Sequence, residues 1–199
     1  MAFWGAPEVV KDHAKKAVEA ALNATAWWAG LPDGHPAGEF RTRFGIHTGL
    51  VLVGNIGGEE RLNYRCIGGS VNLASRIEGL NKVYGTSIMV TGQTATQLGD
   101  AYLTRRLDTV IVKGATEPAV IHEMLGRTGE VSNQVEEWVG IYEEGHALYL
   151  DREFDRAANL LETVGAHDPP SAVLATRCRD FIAAPPGQGW DGVRRLDTK

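Results

Sequence analysis

Near Gly129 the hydrophobic period of this chain changes, and that change divides what it can fold into. Before it, short alternating apolar runs are separated by Gly- and Pro-containing turns, the pattern of strands with intervening helices. After it the period is helical. Val135, Trp138, Val139, Tyr142 and Tyr149 share one face, and Phe154, Ala157, Ala158, Leu161 and Val164 form a second stripe. A third helix is expected over 171–183, stopped by Pro185-Pro186. The expected organisation is a β-rich unit over 1–126, a helical tail over 132–184 and an extended segment over 185–199.

Within the first unit, Met1-Ala2-Phe3-Trp4-Gly5 reads as the end of a strand, and Pro7-Glu8 as the opening of a helix. That helix carries Val10, Ala14, Ala17, Val18, Ala21 and Leu22 at helical spacing. Alternation at Phe40, Thr42, Phe44 and Ile46, then Leu50 to Val53, suits strand over 40–53. Residues 54–60 read as a turn and 63–67 as a short strand. Gly68-Gly69 breaks that strand, and a helix follows with Ser70 as its cap. A strand over 87–90, a short helix over 93–98 and a hairpin of 109–113 with 119–124 complete the unit. In the tail, Gly145, Leu148, Ala157, Leu161 and Pro169 stand close to the spacing of one tetratricopeptide-type hairpin, with Ile141 at its Trp position. A lone repeat of that kind cannot bury its own face, so it is expected to pack on the first unit or on a partner.

Composition excludes several classes. The net charge is −5, and basic residues occur only in short pairs such as Lys15-Lys16, Arg105-Arg106 and Arg194-Arg195, read here as solvated faces. Nucleic-acid binding would need a basic cluster. The two cysteines, Cys66 and Cys178, lack metal spacing and fit a reducing, cytoplasmic setting. His47 and His122 lie in apolar patterns and read as packed or hydrogen-bonded structural residues. No run reaches the ~18 apolar residues of a membrane span, and charged residues interrupt any leader-like stretch at the start.

The stretch that bears on chemistry runs from Tyr64 to Glu78. A strand ends in two glycines and a helix begins, with Asn72 and Arg76 one turn apart on the same face. That face borders the buried stripe of Leu73 and Ile77. An amide and a fork-shaped guanidinium so held suit a sugar oxygen and a phosphate. By spacing alone, an ordinary amphipathic helix with a polar face is the commoner source of such a pair. Lys113 alone reads equally as a strand-end lysine before a glycine turn.

The wider pattern separates these alternatives. Arg43-Phe44-Gly45-Ile46-His47-Thr48-Gly49, Val53-Gly54-Asn55-Ile56-Gly57, Val71 through Lys82, Tyr84-Gly85-Thr86 and Val112-Lys113-Gly114 occur in order. With Met1 to Pro7 and Asp12-His13-Ala14, they resemble the class III adenylyl and guanylyl cyclase catalytic domain from Met1 to about Leu125. The resemblance implies an α+β, ferredoxin-like fold and conversion of ATP (or GTP) to a cyclic nucleotide and pyrophosphate. It also implies a homodimer or heterodimer with another cyclase domain, the site lying at the interface. By position, Asn72 would orient the ribose, Arg76 would stabilise the α-phosphoryl transition state, and Lys113 would hold the terminal phosphates. Arg65 stands where the family selects the base. The tail, ending in Trp190-Asp191-Gly192-Val193, resembles that of bacterial cyclases with a membrane-anchored sensor. Membrane contact is thus expected only through a region upstream of this chain.

The chain departs from the family at several points. The two aspartates that bind Mg or Mn in the family stand on a first strand and in a turn just before the block that begins here at Met1. Both fall outside this chain, leaving no metal ligand in it and an expected open sheet edge. The fold is therefore expected to lack its first strand and metal-binding hairpin turn, and the chain to be inactive alone. Arg65 matches neither the adenylyl nor the guanylyl pattern, and Gly69 replaces a common Asp. Two other readings are an inactive, regulatory cyclase-like subunit and an interaction module whose working part is the tail.

Overall fold

A computed structural model describes residues 1–39, 42–58 and 61–196. The fold is α+β, as the resemblance implies. A mixed five-stranded sheet, in the order β1-β4-β6-β5-β7, lies between two helical layers. Its strands are β1 (Phe44–Ile46), β4 (Ile88–Thr91), β5 (Tyr102–Val112), β6 (Ala119–Arg127) and β7 (Val193–Leu196). A separate antiparallel hairpin joins β2 (Leu52–Gly58) and β3 (Arg61–Ile67).

Alternation along β4 explains the layering. Ile88 and Val90 pack against α1 (His13–Ala29), whose Ala14, Val18 and Ala21 face them, together with Leu98 of α3 (Gly92–Leu98). Met89 points the other way, into a core shared with α2 (Gly69–Tyr84) and the tail helices α4 (Asn133–Leu150), α5 (Phe154–Glu162) and α6 (Pro169–Ala183). All four β4 residues are therefore buried. At the rim, Glu19 of α1 accepts from Tyr102 Oη at 2.8 Å and from Arg127 Nε at 2.9 Å.

Several local expectations are corrected. Met1 to Trp4 form no strand, and Met1 Sδ instead meets Cys66 Sγ at 3.8 Å. Helix α1 starts at His13 rather than at Pro7, because the preceding segment has nothing to pack on and Val9 stays in solvent. The strand expected over 40–53 is regular only over Phe44–Ile46 and resumes at Leu52. Phe40 lies outside the described residues. Between those strands the chain curls over the start of α2, where Ser70 Oγ donates to the Leu50 carbonyl at 3.0 Å. Ser70 is thereby taken from capping, and Gly68 occupies the N-cap position of α2. Residues 54–58, expected as turn, continue β2, because cross-strand pairing with β3 overrides their glycines; Glu59 and Glu60 lie outside the described residues.

The largest difference is at β5. The expected strand began at Thr109, yet β5 begins at Tyr102 and carries Arg105 and Asp108 inward. Arg105, expected in solvent, is 2% exposed. Its guanidinium forms a fork with Asp168 at 2.9 and 2.7 Å and also bonds Glu123 at 2.8 Å. Asp108 accepts from Arg177 Nη1 at 2.7 Å and from Tyr84 Oη at 2.6 Å. The helical tail packs on the first unit through these pairs. The end of the extended segment adds β7, parallel to β5, with Thr109 opposite Val193 and Val112 opposite Leu196.

Three histidines are buried or half-buried with pKa values held below their ordinary 6.5. Burial is the first cause for each, with Arg106 adding to it at His122 and His146. His122 Nδ1 has no partner among the described residues, while His47 Nδ1 lies 2.9 Å from Thr91 Oγ1. Below pH 6.5 the unfolded chain binds protons that the folded chain refuses, so folding stability falls as acid is added. Urea unfolding is expected to show this loss between pH 6.5 and the onset of carboxylate titration near 4.5. His122→Phe, which removes one such proton site, should flatten the slope.

Candidate active site

Helix α2 carries the two residues that the sequence singled out, and β1 fixes where it lies. A Cβ on Gly45 would stand 2.3 Å from the Glu78 nitrogen and 2.4 Å from the Ala74 carbonyl oxygen. The helix backbone thus rests directly on the strand. Asn81 closes the other end of the contact. Buried, it donates from Nδ2 to the Phe44 carbonyl at 2.9 Å and accepts from Thr86 Oγ1 at 2.8 Å. Asn81 was not singled out by the sequence reading. Its signal was present, since an amide on the apolar face of α2 must be satisfied internally.

With α2 so placed, Asn72 is exposed in its first turn and Arg76 is half-buried one turn on. The Arg76 guanidinium comes to the β5–β6 turn. A Cβ on Gly114 would lie 3.5 Å from Arg76 Nη2 and 3.7 Å from Nη1. Gly114 has φ +73°, so the turn needs glycine for its backbone as well as for this approach. Lys113, exposed, directly precedes it. Arg76 and the Lys113-Gly114 turn are therefore neighbours, with Asn72 on the same helix face about 5–6 Å from Arg76 at the Cβ positions. No ion pair to Arg76 or Lys113 occurs among the described residues. An amide and a guanidinium of this kind are suited to sugar and phosphate oxygens.

Arg65 is not brought into this group. It is exposed on β3 opposite Gly54, on the other face from Cys66. Cys66 lines a cleft of about 580 Å³, together with Phe3, His47, Leu50, Val71 and Ala74. This cleft is mostly apolar, lies beside β1, and contains none of Asn72, Arg76, Lys113 and Arg65. Among the described residues no three His, Cys, Asp or Glu side chains stand close enough to hold a metal ion. Among those residues the oxygen donors that a divalent cation needs are not assembled.

The adenylate and guanylate cyclase catalytic domain, as a family, matches residues 1–126. The chain belongs to this family. Its members are nucleotide cyclases, which are lyases. Adenylate cyclase 1 of Rhizobium meliloti is 42% identical over 134 residues, covering 63% of this chain and 19% of that protein. The terminal-differentiation-specific adenylate cyclase of Dictyostelium discoideum is 31% identical over 147 residues, covering 69% of this chain and 7% of that protein. The chain thus spans less than a fifth of the length of these curated relatives. The guanylate cyclase domain of RhGC from Catenaria anguillulae, solved in complex with GTP, is similar at 30% identity and a TM-score of 0.52. That match covers 62% of this chain and 65% of the solved one. No described helix of this cyclase domain or its tail is long and apolar enough to cross a membrane.

The contact between α2 and β1 is directly testable. Gly45→Ala would drive a methyl group into helix backbone rather than a movable side chain. It should cost about 1–3 kcal/mol or more, read as a fall in melting temperature with the secondary structure retained.

Proposed function

We propose that this chain supplies the ribose- and phosphate-binding half of a nucleotide cyclase site, which a second cyclase domain completes with metal-binding carboxylates. The reading rests on one observation: the Arg76 guanidinium lies where a Cβ on Gly114, the residue after Lys113, would meet it at 3.5 Å. In the reaction the ribose 3′-oxygen bonds to the α-phosphorus, the bond to the bridging oxygen breaks, pyrophosphate leaves and the hydroxyl proton is released. Asn72 orients the ribose, Arg76 meets the charge that builds on the α-phosphoryl oxygens, and Lys113 holds the terminal phosphates. Fixed cations aimed at charge that develops only in the transition state lower its energy selectively.

The similarity to proteins named adenylate cyclase favours ATP, with GTP as the alternative. Arg65, exposed on β3, is proposed to face the base only across the completed interface. A dimer is supported by the exposed apolar surface at the hairpin and its entry. Leu50 is 97% exposed and Leu52 66%, and Tyr64 and Ile67 are also exposed. Such a patch marks a surface that another molecule covers. The second copy or partner is proposed to sit there.

Mixing the full chain with a cyclase domain that keeps its metal carboxylates but has lost its own transition-state arginine tests the proposal. With manganese and ATP, the heterodimer should make cyclic AMP. Arg76→Ala should lower kcat by about 10²–10³-fold, the loss seen when one transition-state donor is removed. Lys113→Ala should mainly raise KM. A verified heterodimer that makes no cyclic nucleotide from ATP or GTP would sink the reading.

A further inference from the structure

The helical tail grips both elements that carry the site. Helix α6 begins at Pro169, packed on Gly85 at the end of α2, where even a methyl group would stand 2.5 Å from the ring. Two turns on, Arg177 enters the junction between α2 and β5. Its Nη1 bonds Asp108 of β5 at 2.7 Å, and its Nη2 lies 3.5 Å from the hydroxyl of Tyr84, the last residue of α2. Tyr84 itself donates to the same Asp108 oxygen at 2.6 Å. From the far side Arg194 of β7 lies over the Tyr84 ring, 5.8 Å from its centroid, and reaches its hydroxyl at 3.4 Å.

The last element is fastened in turn. Trp190 packs edge-on against Tyr149, Phe154 and Phe181. Arg152 covers its ring at 5.3 Å and donates to the Gly187 carbonyl at 2.7 Å. With Trp190 held, β7 pairs with Thr109 through Val112, the residue before Lys113.

We infer that the tail is a clamp that sets the gap between Arg76 and Lys113, and that Arg177 is its positioning residue. Asp108, Tyr84 and Arg177 tie together strand, helix and tail at one buried point. Asp108 lies five residues before Lys113, and Tyr84 eight after Arg76. A shift of α6 therefore changes how far the guanidinium stands from the lysine turn. The junction is buried, and desolvation, then the Asp108 charge, pushes the Tyr84 hydroxyl up to about 12. Arg177 touches no substrate in this arrangement and acts only through the two elements it joins. The inference rests on the site assignment made above.

The test uses the full chain in the same heterodimer. Arg177→Met alone leaves a buried carboxylate unpaired and can unfold the protein, so the decisive variant is Asp108→Asn with Arg177→Met. It should fold, exchange its amide hydrogens faster over 109–114, and lose about tenfold to a hundredfold in kcat, the scale of a roughly 1 Å misplacement. Arg177→Lys should recover part of that rate. Unchanged exchange over 109–114 in the folded variant overturns the clamp, and so does faster exchange with kcat and KM both unaltered. Arg76→Ala in parallel separates the two failures. If it leaves activity intact, the site assignment is wrong; if it abolishes activity while the clamp variant stays at the parent rate, the clamp is wrong.

Discussion

A guanidinium or carboxylate taken out of water costs several kcal/mol unless a partner of opposite charge meets it with good geometry. Strand β5 takes two such charges inward, Arg105 and Asp108. Neither partner set lies in β5: Arg105 needs Asp168 and Glu123, and Asp108 needs Arg177 and Tyr84. Without α6 the strand would expose its own buried charges to an apolar core. The tail is thus a condition for β5 to exist as seen, because removing one partner of such a pair costs about 3–5 kcal/mol. A hydrophobic strand could have reached the same place with less risk. Charge pairing at this depth fixes which helix lies on the strand and in what register, which apolar contact alone does not do.

That dependence also explains what could be read from the sequence. Helix α2 was legible because its apolar stripe, Leu73, Ile77 and Leu80, has the period of a helix, and all three pack on the core. The three tail helices were legible for the same reason. Strand β5 was cut short because Arg105 and Asp108 interrupt the alternation, and their partners in the tail stand 63 and 69 residues away in sequence. The C-terminal strand was invisible for a related reason: four residues with two arginines carry no strand pattern by themselves. They become a strand because the free edge of β5 supplies the hydrogen bonds. Where local preference decides, the sequence can be read; where a distant partner decides, it cannot.

The site shows the same division. Asn72 and Arg76 could be placed on one face by counting, since i and i+4 meet in any helix. The approach of Arg76 to the turn at Gly114 could not be counted, because it depends on how α2 lies on β1. Gly45 sets that distance by letting helix backbone touch strand backbone, and Gly114 sets it at the other end by leaving room for the Arg76 guanidinium. The position of Arg65 is the opposite case. It belongs to a hairpin that stands apart from the main sheet, so nothing within one chain directs it toward the other three residues.

The two cations and the amide of the proposed site would bind anions, but binding alone does not break a phosphoanhydride bond. Such groups would stabilise negative charge on phosphoryl oxygens, and none of the three is a base for the proton of an attacking hydroxyl. A catalytic unit built from it needs a second surface of opposite character, rich in carboxylates, facing this one across the nucleotide. The apolar residues left in solvent at Leu50, Leu52, Tyr64 and Ile67 lie on the part of the molecule that is least occupied with its own folding. The hairpin stands outside the main sheet, whereas α2 and β5 are tied to the tail through Tyr84, Asp108 and Arg177. A site assembled from two subunits, as proposed, would use the first to meet its partner and the second to hold its cations.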